Sequence, residues 1–265
     1  MSNILITGAA GGLGIAAVQA FLDRGHRVFA LDIREPLLSH PNMTHIPVDV
    51  ASPDSVAEAK EQVLNLAAHI DVLVNMAGIY IMDAYSELSE EDMQSMISVN
   101  LLGAWRINKA FLPLLDKKSR IIVVTSELDG QSALPFNGLY TMTKTALGSY
   151  VDSLRAELAL LGIKVIKVKP GAFATSMVSA SFKSMERVRE KTILFKSHAH
   201  KFQAIMEKMG GKPRNPKILA QKIYKISMAK RPKACYSIRV GVLLKLYDIL
   251  PKSLAVWFLK KLLQP

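Results

Sequence analysis

Asn3-Ile4-Leu5-Ile6-Thr7 runs without a break into Gly8-Ala9-Ala10-Gly11-Gly12-Leu13-Gly14, and no other stretch of the 265 residues restricts the fold as strongly. The apolar run predicts a buried strand. The glycines permit a turn that side chains would block. Leu13, Ala16, Ala17, Ala20 and Phe21 then recur at helical spacing, which predicts a helix over 13–24 that Gly25 stops. A strand, a glycine turn and a helix in immediate succession open a βαβ unit. The same arrangement suits a pyrophosphate: backbone amides come close, and the helix N-terminus adds positive potential.

The pattern repeats. Short apolar runs at 28–31, 44–48, 72–74, 120–125 and 163–168 alternate with helical stretches near 53–68, 89–115 and 138–161. Near-continuous apolar strands between helices indicate a parallel sheet covered on both faces, and right-handed crossovers make it doubly wound. The expected fold is α/β: a Rossmann-type doubly wound parallel sheet of about seven strands, with helices on both faces and a helical C-terminal cap. Residues 174–211 read as Met-rich, basic helix. Asn215-Pro216 starts a further helix to about Ala229, a last strand is expected over 234–240, and 243–263 is apolar with lysines and broken at Pro251. No flexible linker separates these parts. One domain over 1–265 is therefore expected, in which 171–265 forms a substrate lid and basic cap.

Charge divides the chain. Residues 1–170 hold 14 Lys/Arg against 18 Asp/Glu, and residues 171–265 hold 20 against 4. The basic third suits an anionic partner, namely a membrane surface, an anionic substrate or an acidic carrier protein, or else it is a solvated face. It lacks the motifs and interleaved aromatics of nucleic-acid binders, so no nucleic acid is expected. The single cysteine, Cys235, excludes an internal disulfide and fits a reducing, cytoplasmic setting, where it reads as a small filler in or near a strand. No signal peptide is visible ahead of the first strand, and no run of 18 apolar residues predicts a spanning helix. No metal site is expected.

Tyr140 and Lys144 stand four residues apart on a predicted helix, and so share a face. An unperturbed tyrosine, with a pKa of about 10, is a poor base at neutral pH. A neighbouring ammonium favours the phenolate, so the pair reads as an acid/base tuned for moving a proton on and off an alcohol. Asp32 ends the second strand eighteen residues past Gly14, placed to accept hydrogen bonds from ribose hydroxyls. Its charge favours NAD over NADP, although Arg34 partly offsets the repulsion of an extra phosphate.

These motifs together resemble the short-chain dehydrogenase/reductase family over about residues 3–175. Thr7-Gly8-x-x-x-Gly12-x-Gly14 is similar to the family's cofactor turn, Asp49-Val50 to the pair that holds the adenine, and Asn75-Met76-Ala77-Gly78 to the stretch after the fourth strand, with Met76 replacing an asparagine. Asn100, Ser126, Tyr140 and Lys144 match the four catalytic positions, and Pro170-Gly171-x-x-x-Thr175 the segment closing over the nicotinamide. The resemblance implies cofactor contacts from Gly8, Gly12, Leu13, Gly14, Asp32, Ile33, Asp49, Val50, Asn75, Ala77, Gly78, Tyr140, Lys144, Pro170, Gly171, Phe173 and Thr175. It implies that Tyr140 is the general acid/base, that Ser126 orients the substrate oxygen, that Lys144 lowers the Tyr140 pKa and binds the nicotinamide ribose, and that Asn100 holds a proton-relay water.

The pocket is expected at the carboxyl ends of the strands, lined by Ser126, Leu128, Leu134, Phe136, Tyr140 and Met177, with Ile79, Pro135, Phe173 and Phe182 around them. Such a lining suits a bulky lipophilic secondary alcohol or ketone, hydroxysteroid-like or another lipid. The segment 231–251 resembles the extension of hydroxysteroid and retinol dehydrogenases. Two rivals stand beside this reading. One is a 3-oxoacyl-thioester reductase, and the other a dinucleotide-binding regulatory protein without turnover. The family implies a homodimer or homotetramer joined through the helices near 89–115 and 138–161. Residues 241–263, with Lys245, Lys252, Lys260 and Lys261, either lie on an anionic membrane or pack as a terminal helix pair.

Overall fold

The computed structural model describes residues 1–130, 134–209, 213–239, 241 and 247–264. Seven parallel strands form one sheet in the order β3-β2-β1-β4-β5-β6-β7. They are β1(Asn3–Thr7), β2(Arg27–Asp32), β3(Met43–Pro47), β4(Val72–Asn75), β5(Arg120–Val124), β6(Lys164–Pro170) and β7(Cys235–Ile238). The order reverses between β1 and β4, which leaves a crevice at their carboxyl ends.

Helices cover both faces. On one side α1(Gly12–Leu22) packs with α8(Pro216–Met228) over Ile4, Ile6, Val28, Val74, Ile122 and Ile166. On the other, α2(Pro53–Leu64), α4(Gly103–Phe111) and α5(Gly138–Ala159) cover Leu5, Phe29, Leu31, Leu73, Ile121 and Val123. Consecutive residues of each central strand thus enter opposite cores, which is why these strands are apolar throughout rather than alternating. Truncating a filled position such as Phe21 or Phe111, both fully buried, costs about 3–5 kcal/mol.

The helix ends follow the sequence signals. Ser52 caps α2 through the Ser55 amide with Pro53 in the first turn. Ser89 caps α3(Glu90–Ile97) through Asp92, and Asn215 caps α8 through Lys217. Gly162, at φ 77°, follows α5 in the left-handed conformation that glycine favours. The helical stretch expected near 89–115 is broken in register. A π-helical segment, Ser98–Leu102, joins α3 to α4, and a 3₁₀ turn, Leu112–Leu114, ends the run. The hydrophobic spacing gives no sign of the extra residue per turn.

After β6 come α6(Ser176–Lys191) and α7(Lys196–Met209), and the chain closes with α9(Lys252–Leu263). These form a separate apolar cluster in which Met185, Val188, Ala199, Phe202 and Leu263 meet Met82, Ala84 and Phe136. The cap is also fastened by charge. Lys191 pairs with buried Asp83 at 3.0 Å, and the Glu87 carboxylate accepts from the Thr192 hydroxyl at 2.6 Å and the amides of Ile193 and Leu194 at 2.8 and 2.9 Å. Those contacts hold the Glu87 carboxyl below the ordinary range.

Cys235 lies in β7 as expected for a strand residue, but it is exposed on an edge strand rather than filling a gap. The expected strand ends at Ile238, and Val240 and residues 242–246, with Lys245, fall outside the described residues. Among the described residues no helix is long and apolar enough to cross a membrane.

Candidate active site

The glycine turn is built by close approach. Gly8 has φ 69°, and a Cβ on it would stand 2.8 Å from the backbone of Ala77. A Cβ on Gly14 would lie 2.0 Å from the Gly8 carbonyl oxygen, and one on Gly12 3.0 Å from the Thr175 side chain. The Thr7 hydroxyl accepts from the amides of Met76 and Ala77 at 3.1 and 3.2 Å, tying the ends of β1 and β4 together. Met76, where the family pattern has an asparagine, packs its side chain against the first core. Gly11 begins α1 without a side-chain cap, so the donors of the first turn are left facing the crevice.

Asp32 reaches this turn. One carboxylate oxygen accepts from the Ala10 amide at 3.0 Å and the other from the Arg34 amide at 3.0 Å. Ile33, beside it, is exposed. Asp49 closes a local turn by accepting from the Ala51 amide at 2.8 Å, and Val50 packs where a Gly103 Cβ would stand, 2.7 Å from it. An uncapped helix end, glycines that no side chain could replace, and an acidic residue at the end of β2 fit a nicotinamide dinucleotide. The buried Asn75 amide donates to Asn108, and its own oxygen has no partner among the described residues, leaving one acceptor at the end of β4.

Asn100, Ser126, Tyr140 and Lys144 are all buried and come together from three parts of the chain: the π-helical segment, the loop after β5, and α5. Asn100 sits in the π-helical segment, a frequent place for functional residues. Its side chain pairs with the Ile79 backbone in both directions, accepting at 2.8 Å and donating at 3.0 Å, and also donates to the Thr143 hydroxyl at 3.2 Å. Gly78 makes room for this: a Cβ there would stand 3.1 Å from the Asn100 oxygen and 3.3 Å from Lys144 Nζ. Lys144 Nζ lies 5.7 Å from the centre of the Tyr140 ring. Ser126 hydrogen-bonds the Tyr140 phenol, which also lies 3.9 Å from Met177 Sδ.

The electrostatics correct one expectation. Burial pushes the Tyr140 phenol up to about 12 rather than down; the Ser126 hydrogen bond opposes this, and the Glu127 charge adds to it. Burial likewise pulls Lys144 down to about 8, against the raising influence of Asp129. Removal from water outweighs the neighbouring ammonium that the i, i+4 spacing suggested, because desolvation penalises every charged form in the site.

The apolar lining is also redistributed. Leu128 joins Tyr140, Leu139 and Met96, with Ile79 partly buried beside them. Phe136, at the unusual φ of 62°, instead points into the cap cluster against Phe195 and Phe202 with Leu134 alongside, and its carbonyl accepts from the Asp83 amide. Phe173 is buried in the first core beneath the glycine turn, and so does not line a pocket as expected. Its backbone bridges Arg214, which fixes the Pro170–Thr175 segment beside Gly12. Phe182 is exposed on α6. Two neighbours escaped the sequence reading. The Tyr80 ring packs against Tyr140 at a tilt of 55°, with ring centres 4.6 Å apart, and its hydroxyl donates to Asn137 at 3.0 Å. Asp129 is buried three residues after Ser126. Position next to a recognised motif was the only available signal for either.

The comparisons agree with this geometry. The family model for short chain dehydrogenase matches residues 2–186. A probable short-chain type dehydrogenase/reductase, VdlC of Helicobacter pylori, is 32% identical and covers 94% of this chain and 93% of its own. A 3-ketodihydrosphingosine reductase of Bacteroides thetaiotaomicron is 31% identical over 94% of this chain and 91% of its own. The ligand-free aldohexose dehydrogenase of Thermoplasma acidophilum shares the fold with a TM-score of 0.76 at 22% identity, covering 95% and 96% of the two chains. With the family's residues gathered around one crevice, the chain belongs to the short-chain dehydrogenases, oxidoreductases that bind a nicotinamide dinucleotide.

Proposed function

We propose that the protein interconverts a bulky lipophilic secondary alcohol and its ketone with NAD(H). The observation that carries this is a buried Tyr140 phenol, bonded to Ser126 and surrounded by Leu128, Leu139, Met96, Ile79 and Met177. Ser126 orients the carbinol oxygen. Tyr140 takes the proton during oxidation and returns it in reduction. The bound dinucleotide supplies the hydride chemistry. Asn100 holds the Ile79 backbone and the Thr143 hydroxyl, and so fixes the wall beside Lys144.

Asp32 supports NAD, since its carboxylate stands at the end of β2, where the extra phosphate of NADP would meet it. The relative named as a 3-ketodihydrosphingosine reductase supports a lipid ketone, and makes a long-chain ketone as suitable a substrate as a steroid. Trp105, Leu102 and Met142, exposed on or beside α4 and α5, support a homo-oligomer joined there. The α9 helix supports peripheral contact with an anionic bilayer. It buries Ala255 and Leu263 while exposing Leu254, Trp257 and Phe258 beside Lys260 and Lys261. A cytoplasmic setting accords with the lone cysteine.

The test is turnover of hydroxysteroids, 3-ketosphingoid bases, long-chain alcohols and 3-oxoacyl thioesters with NAD(H) and NADP(H). Turnover of a lipid ketone with NADH is expected. Activity confined to thioesters with NADPH overturns both the substrate and the cofactor reading. Dinucleotide binding without any turnover makes the protein a regulatory binder.

A further inference from the structure

Asp129 is a buried carboxylate that the reaction does not use directly, and its surroundings tie it to Lys144. It follows Ser126 on the loop after β5, and its amide donates to the Ser126 carbonyl at 3.1 Å. The Thr125 hydroxyl donates to its Oδ2 at 3.0 Å. Its Oδ1 presses on α5: a Cβ at Gly148 would lie 2.1 Å away. Gly148 stands one helical turn after Lys144 on the same face, so the missing side chain admits the carboxylate one turn along the helix from the lysine, on which its charge acts. From the far side Lys167, a nearly buried residue of β6, reaches Asp129 Oδ2 at 3.8 Å and Asp152 Oδ2 at 2.7 Å. The Lys169 ammonium donates to the Asp129 carbonyl.

Isolated buried charges are costly, and a buried lysine without a counter-charge gives up its proton. Here the charges alternate from neighbour to neighbour in one line of influence: the Asp129 charge acts on Lys144, Lys167 reaches Asp129, and half-exposed Asp152 pairs with Lys167. Building on the assignment of Tyr140 and Lys144 as the proton-transfer pair, we propose that Asp129 is a positioning residue that keeps Lys144 an ammonium, and that Lys167 sets how much of the Asp129 charge Lys144 receives. Among the described residues, the other charged or titratable groups facing this line are Tyr140 and Arg155 on α5, Glu127 on the same loop, Lys169 on β6, and Tyr80, which packs against Tyr140.

The experiment is a pH titration of the cofactor-free protein labelled with ¹³Cε-lysine. Lys144 is assigned by the signal lost in Lys144→Met. Asp129→Asn lowers the Lys144 midpoint by about one pH unit, and Lys167→Met raises it, because the carboxylate then has one fewer partner. With a starting midpoint of about 8, the first variant leaves about one-fifth as much charged Lys144 at pH 8, and turnover at that pH falls about fivefold. A midpoint unmoved in both variants, whatever happens to their melting temperatures, makes Asp129 a structural residue and overturns the proposal. Should Asp129→Asn not fold, the rise or constancy in Lys167→Met decides alone. The titration needs no substrate, so an incorrect substrate reading leaves it intact.

Discussion

The chain before residue 171 and the chain after it solve different problems. The first part is slightly acidic, holds six of the seven strands, and places every proposed catalytic group at the carboxyl ends of β4 and β5 or on the helices that follow. The second is strongly basic and builds mostly helices, and its α6 and α7 lie over the loop at 79–88. Where chemistry sets the geometry, close backbone approach leaves almost no freedom: Gly8, Gly14 and Gly148 each sit where a methyl group would collide. Where the chain packs over that part, apolar contacts and a few charge contacts, among them Lys191 with buried Asp83, suffice, and many sequences meet that need.

The largest effect expected is in the first part. Tyr140→Phe lowers kcat by about 10²–10⁴-fold while dinucleotide affinity, read by fluorescence titration, stays within a few-fold. An equal loss of binding would mean that Tyr140 shapes the crevice rather than moving the proton. Lys144→Met separates activity from stability. The folded-state pKa is depressed to about 8 from an ordinary 10.5, so the unfolded chain binds the extra proton between those values. The buried ammonium therefore costs the fold most below about pH 8, and the cost fades as pH rises toward 10.5. At about 1.4 kcal/mol per pH unit, Lys144→Met should stabilise the protein by up to about 3 kcal/mol at pH 7 and by little at pH 10.5, read by urea unfolding. Equal effects at both pH values would break that account.

Gly14→Ala forces a methyl against the Gly8 carbonyl. A loss of about 1–3 kcal/mol and weakened dinucleotide binding are expected. At the contact between the two parts, Glu87→Gln weakens the clamp on Thr192, Ile193 and Leu194, with a small loss of stability and a KM for the lipid substrate raised more than kcat is lowered. A kcat loss matching that of Tyr140→Phe would erase the distinction between the two regions. Smallest of all, Trp257→Ala leaves turnover of a short soluble alcohol unchanged and reduces co-sedimentation with anionic vesicles. Undiminished sedimentation would assign α9 to packing alone.

Most of the fold was legible because parallel strands buried on both faces must be apolar throughout, and because Ser52, Ser89, Asn215 and Gly162 announce helix ends locally. The π-helical segment at Asn100 was not legible, since it changes one hydrogen-bond register within an otherwise regular pattern. The motif residues of the site were legible, and their ionisation was not. Spacing puts an ammonium near the Tyr140 phenol, but only the surrounding chain determines how much water is removed from both, and that removal sets the direction of each shift.

By itself the sequence determined the order of strands and helices, the glycine cradle and the shared helix face of Tyr140 and Lys144, because those depend on local periodicity and on residue types that few conformations accept. Only the tertiary structure decided that Phe136 and Phe173 are packed away from the crevice, that Tyr80 packs against Tyr140, and that Asp129 packs against Gly148, one turn after Lys144. Those contacts join residues far apart in the chain, and their geometry follows from how the sheet and helices pack together rather than from any pattern within a single segment.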